Sequence, residues 1–113
     1  MASDLADLQL KLRKFAQERD WEQFHTPKNL SMALTVEAAE LQEIFQWLTA
    51  EQSAALNDAQ RQHAAEEMAD VLLYLCRLAD VLGIDLHAAA DAKLEANALK
   101  YPAGEVRGSA DKR

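Results

Sequence analysis

Apolar residues recur along this chain at spacings of three and four, with no sustained alternation of apolar and polar positions. That period belongs to helices that turn one face toward a core. In the first segment, from about Ser3 to Arg19, Leu5, Leu8, Leu12 and Phe15 make one stripe. Asp4 and Asp7 suit the positive end of that helix's dipole. The pattern breaks over DWEQFHTPK, residues 20–28, where Pro27 disfavours a helical Thr26 and predicts a loop. A second helix is expected from an Asn29 cap to Leu48, with Leu30, Leu34, Leu41, Ile44 and Leu48 on its apolar face. Residues 49–59 read as a connector with one short helical turn. The third helix is expected from near Gln60 to just before Gly83, a terminating glycine. Met68, Val71, Leu72, Leu75, Leu78, Ala79 and Leu82 cover so much of its circumference that it reads as the central helix. A fourth runs from an Asp85 cap to Lys100, and Pro102 stops it. The expectation is an all-α bundle of four main helices with short, antiparallel connections. Residues 1–103 form the domain, and residues 104–113 read as a flexible tail.

Two helices carry acids in places that a purely structural pattern does not require. Glu37 and Glu40 lie three residues apart on the second helix, and Glu67 and Asp70 repeat the spacing on the third. Each pair shares a helix face, separated by about 4.5 Å along the axis. If the faces meet, four carboxylates converge, an arrangement that repels itself without cations and suits a hard divalent metal. Glu43 and Glu66 stand ready to support such a site. Either pair alone is what a solvated helix face shows; the two spacings together bring the metal level with that plainer reading. Continued helical phase carries Glu40 on to Trp47 and Asp70 on to Tyr74, giving the acids an aromatic wall for a flat ligand, with a hydroxyl for sugar or phosphate.

Other polar groups divide between two readings. Lys93, Asn97 and Tyr101 follow four-residue steps on the fourth helix, with Lys100 adjacent. Lys93 is the better phosphate partner, although a lysine there is more often simply solvated, and Tyr101 can equally pack on Pro102. Trp21, Phe24 and His25 can wrap a base or can pin their loop to the bundle. His63 and His87 have no cysteine or histidine partner at zinc-like spacing and read as surface residues.

Composition narrows the classes. The 113 residues suffice for one domain with a small core, which association would supplement. A formal charge of −7 disfavours nucleic-acid polymers and anionic membranes as partners. It leaves room for an anionic small ligand bridged through a metal. The single cysteine, Cys76, sits in an apolar run and reads as a buried thiol. With neither a signal-like block nor a run long enough to span a bilayer, the expectation is a cytoplasmic protein.

With ExxE at Glu37–Glu40 and ExxD at Glu67–Asp70, the sequence resembles the MazG-like all-helical nucleoside triphosphate pyrophosphohydrolases. Within that family it is most similar to the dCTP pyrophosphatase branch. The segments DWEQFHTPKNL, EIFQW, ADVLLYL and KYP carry the likeness in order, over roughly residues 5 to 103. Thr26 and Lys28 differ conservatively from the common choices around the HxPxN pattern, and the connector between the acid motifs is short for that branch.

The resemblance implies magnesium, with manganese the alternative ion, held by Glu37, Glu40, Glu67 and Asp70. It implies Trp21, His25, Trp47, Tyr74, Asn97 and Tyr101 around the nucleotide, with Lys93 a candidate for the leaving pyrophosphate. The implied reaction converts dCTP or a modified dCTP to monophosphate and pyrophosphate in a homotetramer that keeps the nucleotide pool clean. Broad (d)NTP hydrolysis is the alternative. An acidic helical adaptor explains the bundle but not the two acid spacings.

Overall fold

Periodicity and capping chemistry together set the elements of the computed structural model, which describes residues 4–113. α1 spans Asp4–Glu18; its expected start at Ser3 lies outside the described residues. It ends with Asp20 in the left-handed region at φ 53°, where Trp21 N–H donates to the Ala16 carbonyl and Asp20 N–H to that of Gln17. This paired closure satisfies the last carbonyls and folds Trp21 back against the helix end. A 3-10 turn, Glu22–Phe24, follows.

α2 spans Pro27–Glu43, and both of its ends correct the expectation. The cap is Thr26, extended as its place before proline demands, and Asn29 N–H donates to its hydroxyl at 3.1 Å. Pro27 therefore opens the helix, at a position whose N–H has no helical partner in any case. The Asn29 side chain donates to the Phe24 carbonyl, tying the aromatic loop to the helix. At the other end α2 stops before Leu48. Residues 44–48 tighten into turns, with Phe45 N–H bonded to Gln42 O and Leu48 N–H to Phe45 O. Thr49 then caps the expected short turn, α3 (Ala50–Ser53), with Gln52 completing a reciprocal box.

α4, Asp58–Val81, starts slightly earlier than expected because Asn57 and Gln60 form a second such box. Gly83, at φ 68°, closes it, and Ile84 N–H reaches back to Ala79 O. Asp85 caps α5, Leu86–Lys100, as expected. Pro102 leads into a short α6, Ala103–Val106. Among the described residues there is no strand, and no helix is long and apolar enough to cross a membrane.

α4 packs against both α1 and α2 and is the centre of the molecule, while α5 leans on α1. The core they share is thin: among the described residues the buried apolar groups are Ala16, Leu30, Ala64, Cys76 and Ala79. Cys76 is the buried thiol that the sequence predicts, its pKa raised by burial. α5 has no buried residue among those described. The radius of gyration is 17.3 Å, whereas a chain of this length folded into one ball has about 13 Å. The isolated protomer is open rather than closed upon itself.

Candidate active site

The packing of α2 on α4 brings the two acid motifs face to face. Glu37, Glu67 and Asp70 each offer a carboxylate oxygen within 4.8 Å of the others. Oε2 of Glu37 and Oε2 of Glu67 are buried without a hydrogen-bond donor, a costly state for a carboxylate. Glu40 is Glu37's neighbour rather than a member of this close triad. Burial pushes the Glu37 pKa up; next comes a hydrogen bond with Glu40 that only a protonated carboxyl can make, then repulsion from Glu40, Asp70 and Glu67. Orphaned hard oxygens at this spacing fit a divalent cation such as magnesium or manganese. His63 Nε2 lies 3.4 Å from the other oxygen of Glu67, and the exposed His87 similarly faces Asp91.

Asp70 is also one wall of a cavity of about 210 Å3 between α1, the aromatic loop and α4. Along it from Asp70 stand Tyr74, Arg77, His25 and Trp21, with Phe15 among the apolar lining. Trp21 makes edge contacts with Phe15 on one side (centroids 5.8 Å apart) and with His25 on the other (6.4 Å). The aromatic loop thus does both things the sequence allowed: it is anchored to α1 and it faces an open space.

Beneath the cavity lies an ionic network that the sequence reading missed. Arg77 is 6% exposed, yet sits within the apolar run that closes α4. Its Nε donates to His25 Nδ1 at 2.9 Å and one terminal nitrogen to Asp80 at 2.9 Å, with Glu22 3.9 Å from the other. Asp80 in turn accepts from Arg13 on α1. Arg13's hydrogen bond leads in holding the Asp80 carboxyl below its usual value, against the opposing effect of burial. His25 is shifted down, first by burial and then by the Arg77 charge. The signal available was the pair Arg77 and Asp80, three residues apart within VLLYLCRLADVL.

Four expected residues stand apart from this cavity. Trp47 is 87% exposed; the helical phase that would have aimed it at Glu40 gives out when α2 ends at Glu43. Lys93 is exposed on α5, and Asn97 and Tyr101 are half-buried further along it. The Tyr101 hydroxyl accepts from the Arg113 backbone N–H at 2.8 Å, and Lys100 lies over its ring.

The sequence matches the MazG-like family over residues 32–112. Over 110 residues it is 44% identical to dCTP pyrophosphatase 1 of Bos taurus and of Homo sapiens, covering 96% of this chain and 65% of each relative. The chain therefore spans just under two thirds of the length of those curated relatives. The fold superposes on a pyrophosphatase from Archaeoglobus fulgidus with a TM-score of 0.82, at 39% identity, covering 90% of this chain and 95% of that one.

Proposed function

This chain belongs to the MazG-like family, and from that premise we propose that it hydrolyses dCTP or a modified dCTP to the monophosphate and pyrophosphate, with magnesium as the ion. One observation carries the reading. A single cavity joins Asp70, a member of the acid triad, to Trp21, His25 and Tyr74. That is the layout a nucleotide needs, with phosphates toward the acids and the base toward the aromatics. The names of the relatives, dCTP pyrophosphatase 1 and a pyrophosphatase, support the same assignment.

Glu37, Glu67 and Asp70 would hold the divalent ion. A bound ion of this class offsets phosphate charge and lowers the pKa of water. Glu40, outside the triad, keeps a carboxylate that can accept the proton of the attacking water. That water forms a bond to phosphorus as the link between the α and β phosphates breaks, and the electron pair leaves with pyrophosphate. Trp21 offers a stacking face, Tyr74 a hydroxyl for sugar or phosphate, and His25 a polar contact to the base. Chromatography of the products should show monophosphate and pyrophosphate in equal amounts with no diphosphate accumulating. A nucleoside diphosphate as the main product overturns the reaction.

The functional unit in this reading is a homo-oligomer, a tetramer as the resemblance implies. The support is physical: an open protomer, an α5 with no fully buried residue among those described, and Trp47, Leu94 and Leu99 exposed at 87%, 67% and 84%. Trp47, Lys93, Asn97 and Tyr101 then complete the nucleotide site from a second copy. Light scattering should report the assembly at assay concentrations, and a fully active monomer defeats the proposal.

A further inference from the structure

The His25 ring is fixed from one side. Its Nδ1 accepts from the Arg77 guanidinium at 2.9 Å, and a guanidinium keeps its protons at any working pH. An imidazole nitrogen that accepts a hydrogen bond carries no proton, so the ring proton resides on Nε2. Among the described residues nothing accepts from that Nε2–H. Arg77 cannot turn away to release the ring. It is buried, it donates to Asp80 at 2.9 Å, and Asp80 is itself held by Arg13 on α1. Three separate elements thus converge on one tautomer, beside a cavity whose wall includes both His25 and Arg77.

We propose that Arg77 is a positioning residue that makes His25 a fixed N–H donor, and that this donor selects a pyrimidine whose ring N3 accepts over one whose N3 carries a proton. The inference rests on the reading of the cavity as a nucleotide site. Cytosine offers a lone pair at N3, whereas thymine and uracil offer N–H. A histidine free to change tautomers satisfies either base, by moving its proton to Nδ1 and presenting the Nε2 lone pair. Arg77 removes that second option, because an Nδ1–H would then point at a guanidinium N–H. Thymine N3–H meets a donor it cannot use, and a mismatched polar contact in a confined site discriminates more strongly than apolar fit. Burial and the neighbouring charge also keep the ring neutral.

The test combines nitrogen NMR with kinetics. Two-bond 1H–15N spectra of the 15N-labelled protein should show His25 as the Nε2–H tautomer, with its signal moving on addition of dCMP and unmoved by dTMP. Arg77→Met keeps the apolar stem and leaves Asp80 its Arg13 partner; its His25 should become a tautomer mixture. In that variant the preference in kcat/KM for dCTP over dTTP should fall about tenfold, mainly because dTTP turnover rises. Arg77→Lys, which keeps a cationic N–H donor on the same side chain, should retain most of the preference. An Nδ1–H tautomer in the wild type overturns the lock whatever the activity, and needs no variant to fold. A fixed tautomer with equal responses to dCMP and dTMP, or a preference unmoved in Arg77→Met, overturns the selection and leaves the hydrolase reading standing. Failure to hydrolyse any nucleotide overturns that reading and this inference with it.

Discussion

Glu37→Gln should lower turnover by about 100- to 1,000-fold, the loss of a few kcal/mol of transition-state stabilisation at a cation site. It should at the same time make the metal-free protein more stable at neutral pH. The two effects have one cause. Glu37 is forced among Glu40, Glu67 and Asp70 with one oxygen buried and unpartnered, and its folded-state pKa is raised above the ordinary 4.5. A carboxyl whose pKa rises on folding binds more protons in the folded state. Its favourable contribution is complete below the unfolded value and is lost as pH climbs through the raised folded value. Glutamine keeps the volume, removes one charge from the cluster and never has to ionise.

Thermal melts in chelator at pH 5 and pH 8 separate these contributions. The wild type should lose stability from the Glu37 site between the two, and Glu37→Gln should lose less. Magnesium should restore the wild type at pH 8 by binding the folded state, and should restore the variant much less. Glu40→Gln should also suppress hydrolysis, since Glu40 is the carboxylate left to take the proton. A Glu37→Gln enzyme with normal turnover and an unchanged magnesium-dependent melting shift would return these acids to the status of a crowded helix face.

The long helices were legible because their apolar residues repeat at a helical period and because Gly83 and Asp85 punctuate the chain where the structure places its turn and cap. The acid pairs were legible for the same reason: a three-residue spacing fixes a shared face. Helical phase, however, says nothing about which face meets which. His25 and Arg77 are 52 residues apart in sequence, and Arg13 and Asp80 are 67 apart, so their contacts exist only through the packing of loop, α1 and α4. Phase also fails once a helix stops. The extrapolation from Glu40 to Trp47 crossed the end of α2, where the chain tightens into turns and the indole faces solvent. α1 ends within a residue of the expected Arg19, although the left-handed closure at Asp20 uses an aspartate where the usual sign is glycine.

Asp80→Ala should cost about 3 kcal/mol of stability, near the lower edge of what removing one partner from a buried ion pair does. The Asp80 side chain is 6% exposed and the Arg77 side chain 7%, so the variant strands a guanidinium that has little contact with water. Its remaining partners are His25, which is neutral, and Glu22 at 3.9 Å. Arg13 adds less to the cost, because its side chain is 48% exposed and rehydrates when released. Acid unfolding supplies an independent signature. Asp80 has its folded pKa held below 3.8, so its contribution is present above the unfolded value and disappears as pH falls through the folded one. That sign is opposite to Glu37's, and Asp80→Ala should therefore flatten the acid limb of the stability profile while leaving in place the loss that Glu37 causes as pH rises. Urea denaturation at fixed protein concentration measures both. Replacing the pair together, as Arg77→Met with Asp80→Leu, should recover much of the loss, since an apolar pair of similar volume carries no stranded charge. That double variant has no guanidinium to fix His25, so it should regain stability without regaining preference for dCTP over dTTP. Asp80→Ala costing less than about 1 kcal/mol, the range of a surface pair, would show the network to be solvated and would leave Arg77 without the anchor that the selection of the base requires.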